Sequence, residues 1–395
     1  MSDSAMTDVH DAVIVGGGLV GASLALALQR AGLAVALVEP QRPRTAPVGE
    51  KWDSRIYAIS PGNAAFLESL GAWGRLDAQR LQQVEAMAIC GDAPAGRLEF
   101  SAYDAGMAEL AWIVEGGALQ QALSGAMAAV TDLQVMCPAQ ASSLQIDTAA
   151  ARITLADGRL LQAQLVVGTD GGDSWVRQAA GIATRVSEYP QLGVVANFEA
   201  EQNHGGTAYQ WFRGDGVLAL LPLPGNRVSM VWSATADHAQ TLLALDAQAL
   251  AERVADASGG VVGRLRLITP AAGFPLRLAQ VANLVAPRVA LAGDAAHSVH
   301  PLAGQGVNLG FRDARALAAV LAARVPLQDC GDFSLLRRYE RARREDIATI
   351  GLSTDVLQKL FAARSVWLAG ARNFGMGAVN RLPLLKNLLI RHAAA

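Results

Sequence analysis

Residues 11–39 read DAVIVGGGLVGASLALALQRAGLAVALVE, and the order of residue types across this stretch decides the fold. Asp11-Ala12-Val13-Ile14-Val15 is a short apolar run that reads as a buried strand. Gly16-Gly17-Gly18-Leu19-Val20-Gly21 follows directly. Ala22 to Ala31 is Ala/Leu-rich and helical, stopped by Gly32, and Ala34 to Val38 is a second strand finishing at Glu39. Strand, Gly-x-Gly-x-x-Gly, helix, strand and acid together predict a dinucleotide-binding βαβ unit. Gly16 allows the tight turn, Gly18 lets the backbone approach a pyrophosphate, Gly21 lets helix and strand pack closely, and Glu39 is placed for ribose hydroxyls. The unit does not distinguish FAD from NAD. A βαβ corner without a ligand is the plainer alternative, and the presence of all five parts argues against it.

Working outward, two further stretches repeat the pattern of an apolar run feeding a glycine-rich turn. Residues 165–177 read LVVGTDGGDSWVR, a strand followed by Asp170-Gly171, with Asp173 or Ser174 as the cap of the next helix. Residues 289–312 read VALAGDAAHSVHPLAGQGVNLGFR. Here Val289 to Ala292 is a strand, Gly293-Asp294 a turn, Pro301 to Gly306 a loop, and a helix is expected from Val307 onward. A glycine-rich turn entering a helix gathers unpaired N–H groups at the positive end of the helix dipole, which suits an anion or an electron-rich ring edge. Asp294 is placed to accept hydrogen bonds from hydroxyls. Together these features suit a reduced flavin.

The segment Gly293 to Asp313 resembles the second flavin motif of the single-component FAD aromatic hydroxylases, most of all the ubiquinone-biosynthesis hydroxylases. Asp53-Ser54-Arg55-Ile56-Tyr57-Ala58-Ile59-Ser60 and Leu218 to Leu223 narrow the likeness to that group. The resemblance implies an α/β fold: a Rossmann-like FAD domain of glutathione-reductase type, an inserted mixed β-sheet substrate domain and a helical C-terminal tail. The expected partition is 1–75, 100–178 and 285–330 for FAD, 76–99 and 179–284 for substrate, and 331–395 for the tail.

It implies FAD held by Gly16, Gly18, Gly21, Glu39, Arg55, Asp170, Gly171, Gly293, Asp294, Pro301, Gly304, Gln305, Gly306, Val307 and Asn308. Arg55, Pro301, Gly304, Gln305 and Gly306 would flank the reacting ring. The implied reaction uses NAD(P)H or another electron donor and O2 to hydroxylate a prenylated phenol through a flavin hydroperoxide. At Gly116 the chain departs from the family, which carries a polar residue there that helps hold flavin; Gln120 or a backbone group is the expected substitute. The greasy substrate implies contact with a membrane surface and with other quinone-biosynthesis proteins. A hydroxylase of a soluble aromatic acid, a flavin reductase of double bonds and a non-catalytic FAD-bearing subunit of a quinone-synthesis complex stay open.

Bulk properties narrow the classes further. The 395 residues are 52% hydrophobic and 17% charged, enough for a large core and more than one domain. A net charge of −2 argues against a nucleic-acid partner. The three cysteines, Cys90, Cys137 and Cys330, are far apart, so no disulfide framework is expected and a reducing cytoplasm fits. No signal peptide or transmembrane run of about eighteen apolar residues is visible.

Elsewhere, Asn63 to Leu70, Gly117 to Leu123 and Gln240 to Ala257 read as helices. Val84 to Ala88, Leu98 to Phe100, and Val135 to Leu161 read as strands, the last as a hairpin. Residues 194–198, 208–212, 217–223 and 228–232 read as antiparallel strands. Tyr209, Trp211, Phe212 and Trp232 are read as packing residues before pocket residues. Asp53–Arg55 has a surface ion pair as its plainer reading. No metal site is expected: His297 and His300 lack a third ligand. Arg337 to Arg344 reads as a solvated helix face paired with Glu340 and Glu345. The apolar, cation-flanked tail 382–391 is a candidate for packing on its own domain or on a membrane.

Overall fold

The computed structural model describes residues 8–43, 46, 49, 51–91, 97–298 and 306–362. Five parallel strands form the centre of one sheet, in the order Val289–Leu291, Leu160–Gly168, Asp8–Val15, Val35–Val38 and Leu133–Met136. Both faces of this sheet are covered, so its strands are apolar runs without alternation; Ala12, Val13 and Ile14 are fully buried. Helix Leu19–Arg30 packs beside helix Gly306–Ala322. The register pairs Val15 with both Val38 and Gly168, and Gly168 with Leu291. Three glycine-bearing turns therefore leave the sheet side by side at its carboxyl edge, where open α/β sheets bind ligands.

A second sheet runs Ala272–Val281, Thr184–Ala200, Arg227–Thr235, Gly216–Leu223, Thr207–Arg213, Ala86–Cys90 and Arg97–Ser101. One face carries Val194, Ala196, Phe198, Leu218, Leu220, Met230 and Trp232 and is closed by helices Ala236–Ala244 and Ala247–Ala257. The other face meets the small sheet of Ile56–Ile59, Ala111–Glu115 and Gln82–Val84. Trp232 lies in the first core and Tyr209 and Trp211 pack against it, whereas Phe212 lies on the opposite face with Ile89 and Val217.

Three expectations are corrected. The helix read over Gln240 to Ala257 is two helices, broken at Leu245-Asp246, where Asp246 caps the second by accepting from the Ala249 N–H at 2.8 Å. The hairpin strands read over Val135 to Leu161 lose the first one: Leu133–Met136 joins Val35–Val38 in parallel, while Ala151–Leu155 pairs with Ala141–Ile146 and, across the expected tight turn at Ala156-Asp157-Gly158-Arg159, with Leu160–Gly168. The Arg337–Arg344 segment, within helix Phe333–Ala362, is not wholly solvated, because Glu340 and Arg343 are buried. Among the described residues no helix is long and apolar enough to cross a membrane.

Candidate flavin site

The first turn is shaped by glycine at the atomic level. Gly16 has φ of +105°, and a Cβ there would lie 2.5 Å from the Thr169 carbonyl oxygen. A Cβ on Gly21 would lie 1.9 Å from the Gly16 oxygen. Gly18 is different: its Cβ would meet nothing within 4 Å, so its side of the turn is open. Gly18 is also the N-cap of Leu19–Arg30 and supplies no side chain to satisfy the helix's first N–H groups. An open approach beside unclaimed N–H groups suits a pyrophosphate. Glu39 is fixed beside it, accepting from the Gly17 N–H at 2.6 Å and the Gln41 N–H at 2.9 Å. Thr169 Oγ1 donates to the Gly16 oxygen at 2.8 Å, and Gln120 Nε2 to the Gly17 oxygen at 2.9 Å, so the second motif and the helix after Glu115 brace the first turn.

The third turn rests on a buried charge network. Asp313, fully buried, accepts from the Gly293 N–H at 2.9 Å, from His297 Nε2 at 2.6 Å and from Arg343 Nε at 2.7 Å. Arg343 also reaches Asp346 at 2.6 Å. Burial alone would raise the Asp313 carboxyl, but His297 and Arg343 outweigh it and hold the group below its ordinary range. Arg177, also buried, donates to the Ala295 oxygen at 3.0 Å and the Gly172 oxygen at 2.7 Å, tying the second turn to the third. On this base Asp294 stands exposed to the cleft. The surrounding walls still desolvate it enough to raise its carboxyl, against the pull of His297 and Arg55. Among the described residues no donor meets this carboxylate, which suits a ligand that brings hydroxyls.

The FAD binding domain family model matches residues 9–350. The chain belongs to this family of FAD-dependent monooxygenases. It is 36% identical to ubiquinone hydroxylase UbiL of Rhodospirillum rubrum, over 98% of this chain and 89% of that one. It is 34% identical to 3-demethoxyubiquinol 3-hydroxylase of Escherichia coli, over 96% and 97%. Its fold is that of p-nitrophenol 4-monooxygenase PnpA from Pseudomonas putida, with a TM-score of 0.78 at 17% identity over 99% of both chains. PqsL of Pseudomonas aeruginosa, a probable FAD-dependent monooxygenase, gives 0.76 at 24% identity, over 93% of this chain and 99% of that one.

FAD suits the residues present in this monooxygenase. The open side of Gly18 would take the pyrophosphate, the braced Glu39 carboxylate would take adenosine ribose hydroxyls, and the Asp294 carboxylate would take the polyol chain. Gly16, Gly18, Gly21, Glu39, Asp170, Gly171, Gly293 and Asp294 all lie along the one carboxyl edge. Two of the expected contacts are engaged elsewhere. Asp170 accepts from Ser174 Oγ and from the Val176 N–H at 3.0 Å, so its carboxylate supports the first turn of helix Trp175–Ala179, which Ser174 caps as expected by accepting from the Arg177 N–H at 3.0 Å. Asn308 is buried and donates to the Ala58 oxygen at 2.8 Å while accepting from the Ser60 N–H at 3.0 Å, clamping helix Gly306–Ala322 to strand Ile56–Ile59. Gly306 and Val307 open that helix half-buried. Pro301, Gly304, Gln305 and His300 lie outside the described residues, as does the tail 382–391.

The Asp53–Arg55 surface pair is replaced by a different arrangement. The Asp53 carboxylate accepts from the backbone N–H groups of Arg55 and Gly117, both at 2.9 Å, which leaves the Arg55 side chain exposed. The segment is anchored below by Glu115, which accepts from the Asp53 N–H at 2.6 Å and takes a two-pronged contact from Arg80 at 2.7 and 3.0 Å. His297 is a partner of Asp313; among the described residues no cluster suits a metal. The supports the sequence reading missed are Asp313, Arg343 and Arg177. A signal existed for two: Asp313 falls four residues after Leu309 and before Leu317, and Arg343 four after Tyr339, charges on apolar helix stripes.

Proposed function

We propose that the protein hydroxylates the ring of a prenylated phenol, an intermediate of ubiquinone biosynthesis, with O2 as oxidant and reduced nicotinamide as electron donor. The likeness to two ubiquinone-precursor hydroxylases along nearly the whole chain supports the substrate class. Bound FAD supplies the oxygen activation, and the chain's own residues supply position and a dry site. In this reading 1–75, 100–178 and 285–330 hold FAD, 76–99 and 179–284 face the substrate, and 331–395 closes the chain.

The observation that carries the reading is the composition of the second sheet's inner face. Asn197 Nδ2 donates to the Asp53 oxygen at 2.8 Å, so this face meets the Arg55 segment. On the same face Val195, Val231 and Ala219 are successive register partners across three strands, each half-buried, and the row continues to Gln210 and Ile89. Such a row is an apolar floor that leaves surface for a ring. No residue of this row is charged, and Arg227, on the same face, lies at its edge over the Trp52 ring at 5.5 Å and beside Glu199; the row itself suits a neutral phenol better than an aromatic carboxylate. Arg55, Pro301, Gly304, Gln305 and Gly306 flank the flavin ring in this proposal. The greasy tail of the substrate points to delivery from a membrane surface and to contact with other quinone-biosynthesis proteins.

The test is turnover by the purified flavinated protein with reduced nicotinamide, isotopically heavy O2 and a short-chain prenylated phenol. One heavy oxygen on the ring is the expected product by mass spectrometry. Label absent from that phenol but present in a carboxylated phenol without a prenyl chain would overturn the substrate class. Bound flavin that reduced nicotinamide leaves oxidised would overturn the donor.

A further inference from the structure

Gly116 opens the helix Gly116–Ala128 one turn before Gln120, whose amide already holds the Gly17 oxygen at 2.9 Å. The space a side chain at 116 would enter is not empty. A Cβ there would lie 3.0 Å from Tyr57 Cε2, 3.2 Å from the Arg55 oxygen and 3.3 Å from Arg55 Cδ. Tyr57 belongs to strand Ile56–Ile59, whose alternate residues Ile56 and Ala58 pack toward the second sheet. Tyr57 therefore projects the other way and packs against the core of the dinucleotide-binding sheet. It is half-buried and feels the charges of both Arg55 and Asp294. It thus borders the space beside Gly116 and lies within electrostatic reach of the Asp294 carboxylate.

We propose that Tyr57 is a flavin-binding residue whose hydroxyl donates to an oxygen of bound FAD, filling through space the place that glycine leaves vacant at 116. The Arg55 side chain borders the same space, and its charge acts on the phenol. An arginine only donates, so a contact from it to the phenolic oxygen leaves the phenol's own hydrogen for another acceptor. Arg55 and Tyr57 then act as a pair, one aligning the other. The proposal concerns cofactor retention and stands whatever aromatic ring is hydroxylated.

The experiment titrates FAD into flavin-free full-length protein, following flavin absorbance, alongside the melting temperature of each flavin-free variant. Tyr57→Phe keeps the ring and removes only the hydroxyl; it should weaken FAD binding by about tenfold without moving the flavin-free melting temperature. Gly116→Asn alone should weaken binding, because the new side chain collides with Tyr57. In a Tyr57→Ala background the space is cleared, and adding Gly116→Asn should restore part of the lost affinity. Wild-type affinity in Tyr57→Phe would overturn the proposal. So would an equal effect of Gly116→Asn in both backgrounds, or a Tyr57→Phe melting loss that accounts for the weaker binding.

Discussion

Single residues at the carboxyl edge serve the ligand at some cost to the empty protein. Asp294 shows this. Desolvation raises its folded-state carboxyl, so the folded chain binds that proton more tightly than the unfolded chain does. The sign follows: its contribution favours folding at acid pH and is lost as pH rises through the raised value, so at neutral pH the ionised group opposes folding. Asp294→Asn should raise the melting temperature of the flavin-free protein and weaken FAD by on the order of tenfold or more. A calorimetric scan with a flavin titration checks both, and a variant that melts lower and binds normally would refute the assignment. Gly16 is constrained differently. Its φ of +105° and the 2.5 Å approach to the Thr169 oxygen leave no room for a side chain. Gly16→Ala should cost more than about 1–2 kcal/mol in denaturant unfolding and release flavin. The tyrosine at 57 acts at this scale too, since one hydroxyl is what its conservative variant removes.

Among elements, the three turns act together because side chains cross between them. Arg177 is the link between the second and third turns, donating to Gly172 and Ala295. Arg177→Met keeps the stem but leaves two carbonyls without a donor, and should loosen FAD binding while the strands beneath stay folded. Hydrogen exchange should show faster opening confined to residues 171–177 and 293–298; uniform protection would count against it. Asp313 carries more, joining helix Gly306–Ala322, the Gly293 turn and helix Phe333–Ala362. Its carboxyl is held below the ordinary range, so its stabilisation is full above about pH 4 and is lost as pH falls through the lowered value. Asp313→Asn should cost about 3–5 kcal/mol at neutral pH and flatten the acid limb of the stability profile. An acid limb unchanged in the variant would assign that limb to other carboxylates. The long helix read at Gln240 also belongs to this scale. Its composition is helical throughout, and only the capping Asp246 marks the break.

At the scale of the whole molecule, a cofactor held as proposed would join segments about 280 residues apart, from Gly16 to Asp294. A ligand that needs both ends assembled stabilises the folded chain by mass action. FAD at a hundred times its dissociation constant should add about 2.7 kcal/mol, and the melting temperature should keep rising with flavin concentration. A melting temperature indifferent to flavin would mean that the two ends assemble without it. The sequence by itself determined the parallel sheet, its three glycine turns and the flavin chemistry, because those depend on local order: apolar strand, positive-φ glycine, helix start, acid. It also singled out Asp294, and it marked Gly116 as the departure. The tertiary structure alone decided how the turns are held and what fills the gap. The Asp313–His297–Arg343 network, the Arg177 tie, the capture of Asn308 and Asp170 by the scaffold, and Tyr57 against Gly116 are contacts between residues distant along the chain. Periodicity places a residue on a face of its own element, but the opposing face that it meets is fixed only by packing.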